Sequence, residues 1–224
     1  MKTTEFIGAA ERQLYELASR MVAYNAGDPK RIQHLIKVHY FARMIGLAEH
    51  VDEATQLILE AAAIVHDIGI RICEQKYGVC DGKHQELEGP DEARKLLTDM
   101  GTFSEVQIER ICWLVGHHHT YDSITGIDYQ ILVEADFLVN IYEDNLPADA
   151  IRKVKEKIFK TSAGGHCSIR CLELETIRSK IYILSLRAIY NFDVSHDVSY
   201  YCFSSIYCLH RVCNWVESKL SELV

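Results

Sequence analysis

At 224 residues the chain is long enough for one sizeable hydrophobic core and a small appended subdomain, since domains run to about 100–200 residues. Apolar residues make up 48% and charged residues 25%, the ordinary range of a globular protein, which argues against disorder. A net charge of −8 argues against broad binding to a nucleic-acid backbone, whose affinity comes from clustered Lys and Arg; a small anionic substrate stays open.

The first twenty residues mix acids and bases with apolar side chains, unlike a secretory signal, and no run reaches the ~18 apolar residues of a membrane span. The expected compartment is the cytoplasm. Only three prolines and twelve glycines punctuate the sequence, and apolar residues recur mostly at spacings of 3 and 4, which predicts an all-α fold. A first helix is expected from Glu5 to Tyr24, with Phe6, Ala10, Leu14, Leu17 and Met21 on one stripe. Asp28 then supplies a cap and Pro29 the favoured first position of a helix reaching Ala48, where His34, Val38, Phe41 and Ile45 share a face. Asp52 caps a third helix through Leu57, Ala61, Ala62 and Val65, with His66 and Asp67 in its last turn and Gly69 letting the chain leave.

A loop is expected from Arg71 to Lys83, followed by a helix that has His84 at its entrance, carries Ala93, Leu96 and Leu97, and ends at Gly101. Ser104 and Gln107 form a capping box for the next helix, along which Ile108, Ile111, Val115 and His118 recur and which closes on His117-His118-His119. After a turn-rich stretch, a helix over about 128–142 places Tyr129, Val133 and Asp136 on one face. Two or three more helices follow from Ala148, interrupted at Ala163-Gly164-Gly165 and over residues 191–197. The expected division is a helical metal-binding domain over 1–147 and a helical C-terminal extension over 148–224 packed on it.

The eight cysteines need not be a disulfide framework in a chain with no secretory signal, and none forms a Cys-x-x-Cys pair. Most are expected to be reduced and buried. His166, Cys167 and Cys171 could share a helical face as ligands, but core packing is the better reading.

His34, His66, Asp67, His84, His118 and Asp136 lie at the ends or apolar faces of five predicted helices. An Asp is almost never fully buried unless paired or metal-bound, and a metal ion in the bundle core would satisfy all six. Residues i and i+1 of a helix point about 100° apart, so His66 and Asp67 reach one ion only from a helix end. Mixed imidazole and carboxylate ligation suits Mn, Fe, Co, Ni or Zn.

With His34 in a helix, Ile64-Val65-His66-Asp67-Ile68-Gly69, and Val133-Glu134-Ala135-Asp136 in this order, the sequence from Asp28 to Glu143 resembles the HD superfamily of metal-dependent phosphohydrolases. The resemblance implies an all-helical bundle in which His34, His66, Asp67 and Asp136 bind a first metal. For a second metal it implies His84, followed by Glu88-Gly89, and the pair His117-His118, with Asp67 bridging. His119 is read as a group that orients its neighbours. Asp67 is the catalytic candidate, and Arg71, Lys76 and Lys83 are candidates for holding substrate phosphate.

Many relatives carry Lys after the His-Asp-Ile-Gly run, where this chain has Ile70 followed by Arg71. The Gly-Tyr-Pro segment of the cyclic-dinucleotide branch is absent, residues 122–126 reading Asp-Ser-Ile-Thr-Gly, so a cyclic di-GMP phosphodiesterase is rejected. The implied activity is hydrolysis of a small phosphate ester, such as a nucleotide, by a water activated at one or two divalent transition-metal ions. The rival readings are a di-iron oxygenase on the same scaffold and a non-enzymatic regulatory domain. The downstream His196-Asp197 lacks a helical apolar run and is read as a surface dipeptide, and His39, His50, His166 and His210 as ordinary core or surface residues.

Overall fold

The computed structural model describes residues 8–169, all of them in helices or the turns between helices. Eight bounded helices follow in order: α1 Ala9–Tyr24, α2 Pro29–Ala48, α3 Glu53–Val65, α4 Ile70–Tyr77, α5 Gly82–Met100, α6 Glu105–Val115, α7 Ile127–Glu143 and α8 Ala148–Ile158. Helical backbone resumes over 162–169. The chain divides into a compact unit through Cys171 and a second unit from Leu172 to Val224. The expected helices past 169 lie outside the described residues, as do His196-Asp197, His210, Cys171, Cys202, Cys208 and Cys213. No helix among the described residues is long and apolar enough to cross a membrane.

The caps act where the sequence puts them. The Asp28 carboxylate accepts from the Arg31 amide with Pro29 in the first turn, and that of Asp52 accepts from the amides of Ala54 and Thr55. Ser104 and Gln107 satisfy each other's backbone donors at the start of α6.

α3 and α7 are the central helices. In α3, Leu59 to Val65 are buried on every side, and the run Ala61-Ala62-Ala63 lets α1, α2, α6 and α7 approach closely. In α7 every residue from Ile131 to Asp136 is buried. Each carries a buried acid that the fold must satisfy. Glu60 accepts hydrogen bonds from His39, Arg43 and Gln56. Glu134 accepts from the amides of Lys160 and Thr161, the Thr161 hydroxyl and Gln130.

Three expectations are corrected. Residues 70–77 are helical, not loop: the left-handed Gly78, at φ 71°, ends a two-turn helix that buries little besides Cys73 and so carries a weak apolar signal. Ala163-Gly164-Gly165 does not interrupt a helix but lies in the first turn of one, because the Thr161 hydroxyl accepts from the Gly164 amide at 3.0 Å. Gly164 is required there, since a Cβ would collide with the Glu134 carboxylate. α6 stops at Val115, and the three histidines follow in turns rather than within it.

Among the cysteines, Cys73 and Cys112 are buried free thiols and Cys80 is half-buried. Burial pushes the Cys112 thiol up to about 11, so it is an inert thiol. Cys167 packs against the core, and the His166 ring bonds the Ser162 carbonyl, so neither forms a ligand group among the described residues.

Candidate metal centre

Two turns deliver the chemistry to one place. The turn after α3 carries His66 and Asp67, and the turn after α6 carries His118 and His119. Both press on α5 through glycines. A Cβ on Gly69 would lie 2.9 Å from the Gly89 nitrogen and 3.0 Å from the Gln85 carbonyl oxygen, and one on Gly116 would lie 3.0 Å from Pro90 Cγ. His34 enters from the middle of α2 and Asp136 from the middle of α7, the two helices packing side by side.

The imidazoles are aimed by their Nδ1 atoms. His66 Nδ1 donates to the Ala63 carbonyl at 2.9 Å, and His118 Nδ1 to the Val115 carbonyl at 2.7 Å. Those carbonyls lie in last helical turns, where backbone acceptors lack helical partners. His34 Nδ1 donates to Glu143 Oε2 at 3.1 Å. With Nδ1 protonated in all three, each Nε2 faces inward and in the neutral ring presents its lone pair there.

His34 Nε2 lies 3.3 Å from His66 Nε2, 3.2 Å from Asp136 Oδ1 and 3.6 Å from Asp67 Oδ2. His66 Nε2 is 3.5 Å from Asp67 Oδ2 and 3.6 Å from Asp136 Oδ1. Asp67 turns its other oxygen, Oδ1, to His118 Nε2 at 3.6 Å, so one carboxylate faces both groups. The Asn140 amide donates to Asp136 Oδ1 at 2.9 Å.

The electrostatics call for a cation. Burial opposes charge on His34 and His66, yet the carboxylates of Asp67 and Asp136 outweigh it and hold both imidazoles above their usual range, His66 at about 9. The histidines in turn hold both carboxyls well below theirs against the same burial. Buried His118 Nε2 has no hydrogen-bond partner, although an orphaned buried polar nitrogen costs about 1–3 kcal/mol. A divalent cation would satisfy this nitrogen and both carboxylates while leaving every imidazole neutral. The donor set of His34, His66 and Asp67, with Asp136 beside it, therefore fits such an ion, as does the adjoining set of Asp67, His118 and His119.

The expected first-site residues are thus brought together, and His118 with them. The other residues expected at a second site, His84 and His117, lie apart from these groups. His117 points away: its ring stacks on Trp113 at 4.1 Å and its Nδ1 bonds the Trp113 carbonyl. His119 lies beside His118 instead, the two ring centroids 4.0 Å apart. His119 Nε2 meets Gln85 at 3.1 Å and its Nδ1 meets the Tyr121 hydroxyl at 3.2 Å. Burial and the neighbouring His118 push it down to about 4, so it is neutral near pH 7.

His84 falls in neither group, being paired with Asp81 and set against the Tyr77 ring. Of the candidate phosphate holders, Arg71 donates to the Tyr24 carbonyl at 2.8 Å, Lys76 is paired with Glu88, and Lys83 is exposed on α5. Sequence reasoning missed Asn140 and Glu143, which lie four and seven residues after Asp136, spacings that keep all three on one face of α7.

A helical bundle whose central helices converge His and Asp side chains on a cation-ready centre defines the class of protein. The model of the HD domain family matches residues 31–157, more than half of the chain, and the chain belongs to that family. It is similar to the crystal structure of a predicted HD superfamily hydrolase from an uncultured Thermotogales bacterium, with a TM-score of 0.56 and 24% identity over 81% of this chain and 95% of that one. A comparison with curated proteins gave no match.

Proposed function

We propose that the chain is a metal-dependent phosphohydrolase acting in the cytoplasm on a small phosphate ester, a nucleotide or a similar monoester or diester. The observation that carries this reading is the convergence of the His34, His66 and His118 Nε2 atoms around Asp67, with the buried His118 Nε2 lacking a hydrogen bond. The crystallised structural relative is also named a hydrolase. A divalent ion held there would neutralise a phosphoryl oxygen and lower the pKa of a bound water toward roughly 7.

The chain's own residues do the rest. His34, His66, Asp67 and Asp136 would hold the first ion, and Asp67, His118 and His119 a second. Asp67, its side chain 26% exposed, faces both groups and would orient the reacting water. Asn140 keeps Asp136 turned inward. His119 is neutral near pH 7, its Nδ1 lying 3.2 Å from the Tyr121 hydroxyl, so it adds no positive charge of its own beside the metal group. A net charge of −8 disfavours a polyanionic partner, and a compact phosphate ester suits a centre whose positive charge is local.

The Asp67, His118, His119 group also supports a second reading, oxidation at a two-iron centre. Metal analysis of the purified chain, followed by assays of nucleotides and simple nitrophenyl phosphate esters with Mn, Co or Fe restored after chelation, separates the two. Metal-dependent phosphate release is expected. Two irons per chain with dioxygen uptake and no phosphate release from any ester would replace the hydrolase reading with the oxygenase one.

A further inference from the structure

The three inward-facing imidazoles are not anchored alike. His66 and His118 sit just past helix ends and borrow orphaned carbonyls of the last turn. His34 sits in the interior of α2, where the carbonyls are engaged in the helix ladder, so its Nδ1 needs a partner from another element. That partner is Glu143, at the last position of α7.

Glu143 is itself nearly buried, at 11% of its side chain, and its other oxygen is paired with Lys37, three residues after His34. Lys37 thus offsets the charge of Glu143 while leaving one oxygen to accept the Nδ1 proton. Glu143 lies behind the imidazole, on the side away from Asp67, Asp136 and His66, and belongs to neither ligand group.

We infer that Glu143, braced by Lys37, is a positioning residue that fixes His34 as the Nδ1–H tautomer and so keeps the Nε2 lone pair directed at the metal centre. The inference rests on the metal-site reading above. Without Glu143 the ring can take the opposite tautomer, placing its proton on Nε2 against Asp136, which satisfies the carboxylate but offers no lone pair to a cation. A carboxylate behind a ligating histidine also raises its basicity, and losing such a partner typically costs about 10–100-fold in metal affinity.

The test measures Mn(II) affinity and stoichiometry on the full chain for wild type, Glu143→Ala and Glu143→Gln, with ring-nitrogen NMR of His34 in the Zn(II)-loaded protein. Glu143→Ala is expected to bind the same number of ions about 10–100-fold more weakly. Glu143→Gln, whose amide oxygen still accepts from Nδ1, is expected to recover most of the loss. The wild-type spectrum should show the His34 proton on Nδ1. Wild-type affinity in Glu143→Ala would overturn the positioning role and leave the metal site standing. Loss of a whole equivalent in both variants would make Glu143 a ligand instead. A His34 proton on Nε2 would overturn the inference even if Glu143→Ala fails to fold. A wild-type chain that takes up neither ion would remove the metal-site reading itself, and the inference with it.

Discussion

His117, His118 and His119 are chemically identical and adjacent, yet the turn after α6 gives them three different surroundings. The first stacks on Trp113, the second points its free nitrogen inward, and the third bridges Gln85 and Tyr121. His117→Ala is therefore expected to leave metal stoichiometry unchanged and to cost stability only through the lost stack, about 0.5–1.5 kcal/mol. His118→Ala should lower the number of ions bound, and equilibrium dialysis against Mn(II) separates the two. Asp67→Ala, which removes the carboxylate shared by both groups, should abolish metal binding and turnover while circular dichroism shows the helices retained. The sequence marked the triplet as a ligand source but not the division of labour within it. Which ring turns inward depends on Trp113 and on the carbonyl left free at Val115, and spacing does not encode either.

Among the elements, α5 acts as the floor on which two site-bearing turns rest, and small residues make the contact possible. Gly69→Ala would push a methyl against the Gly89 and Gln85 backbone, which has no side-chain freedom to yield. It is expected to destabilise the chain by about 1–3 kcal/mol and to weaken metal binding together with it, as denaturant titration with and without Mn(II) would show. Ser104→Ala tests an element boundary away from the site. Losing its side of the capping box should cost about 1 kcal/mol and leave metal affinity untouched. The caps were readable because capping is local chemistry of three or four consecutive residues. The helicity of residues 70–77 was not, because a short, largely exposed helix shows little periodicity.

Across the molecule, folding must provide for buried acids as well as an apolar core. Burial raises the Glu60 carboxyl, but hydrogen bonds from His39, Gln56 and Arg43 outweigh it and hold the folded value below 4.5. A depressed carboxyl stabilises the fold fully above its unfolded value, and the contribution is lost as pH falls through the folded one. The unfolding free energy should thus decline below about pH 4.5, less steeply in Glu60→Gln, which at pH 7 should be less stable by about 1–3 kcal/mol. A parallel decline in both proteins would place the acid sensitivity elsewhere. A bound metal should stabilise the whole chain by mass action, by about 2.7 kcal/mol at a free concentration 100 times the Kd, reversibly on chelation. Thermal unfolding across a Mn(II) series checks this.

The order of His34, His66-Asp67 and Asp136, the all-helical periodicity and the N-terminal caps are properties of neighbouring residues or of an ordered pattern, so the sequence alone determined the fold class and the family resemblance and pointed to His34, His66, Asp67 and Asp136 as one group. The separate surroundings of His117 and His119, the pairing of His84 with Asp81, the contacts of Arg71 and Lys76, and the bond between His34 and Glu143 needed the tertiary structure. Each depends on which side chain from a distant helix arrives beside the residue: Gln85 and Trp113 for the histidine triplet, Asp81 and Tyr77 for His84, and α7 against α2 for His34. Helix-to-helix packing decides such meetings, because an imidazole is directed by the partner of its second nitrogen, and that partner lies 109 positions away for His34.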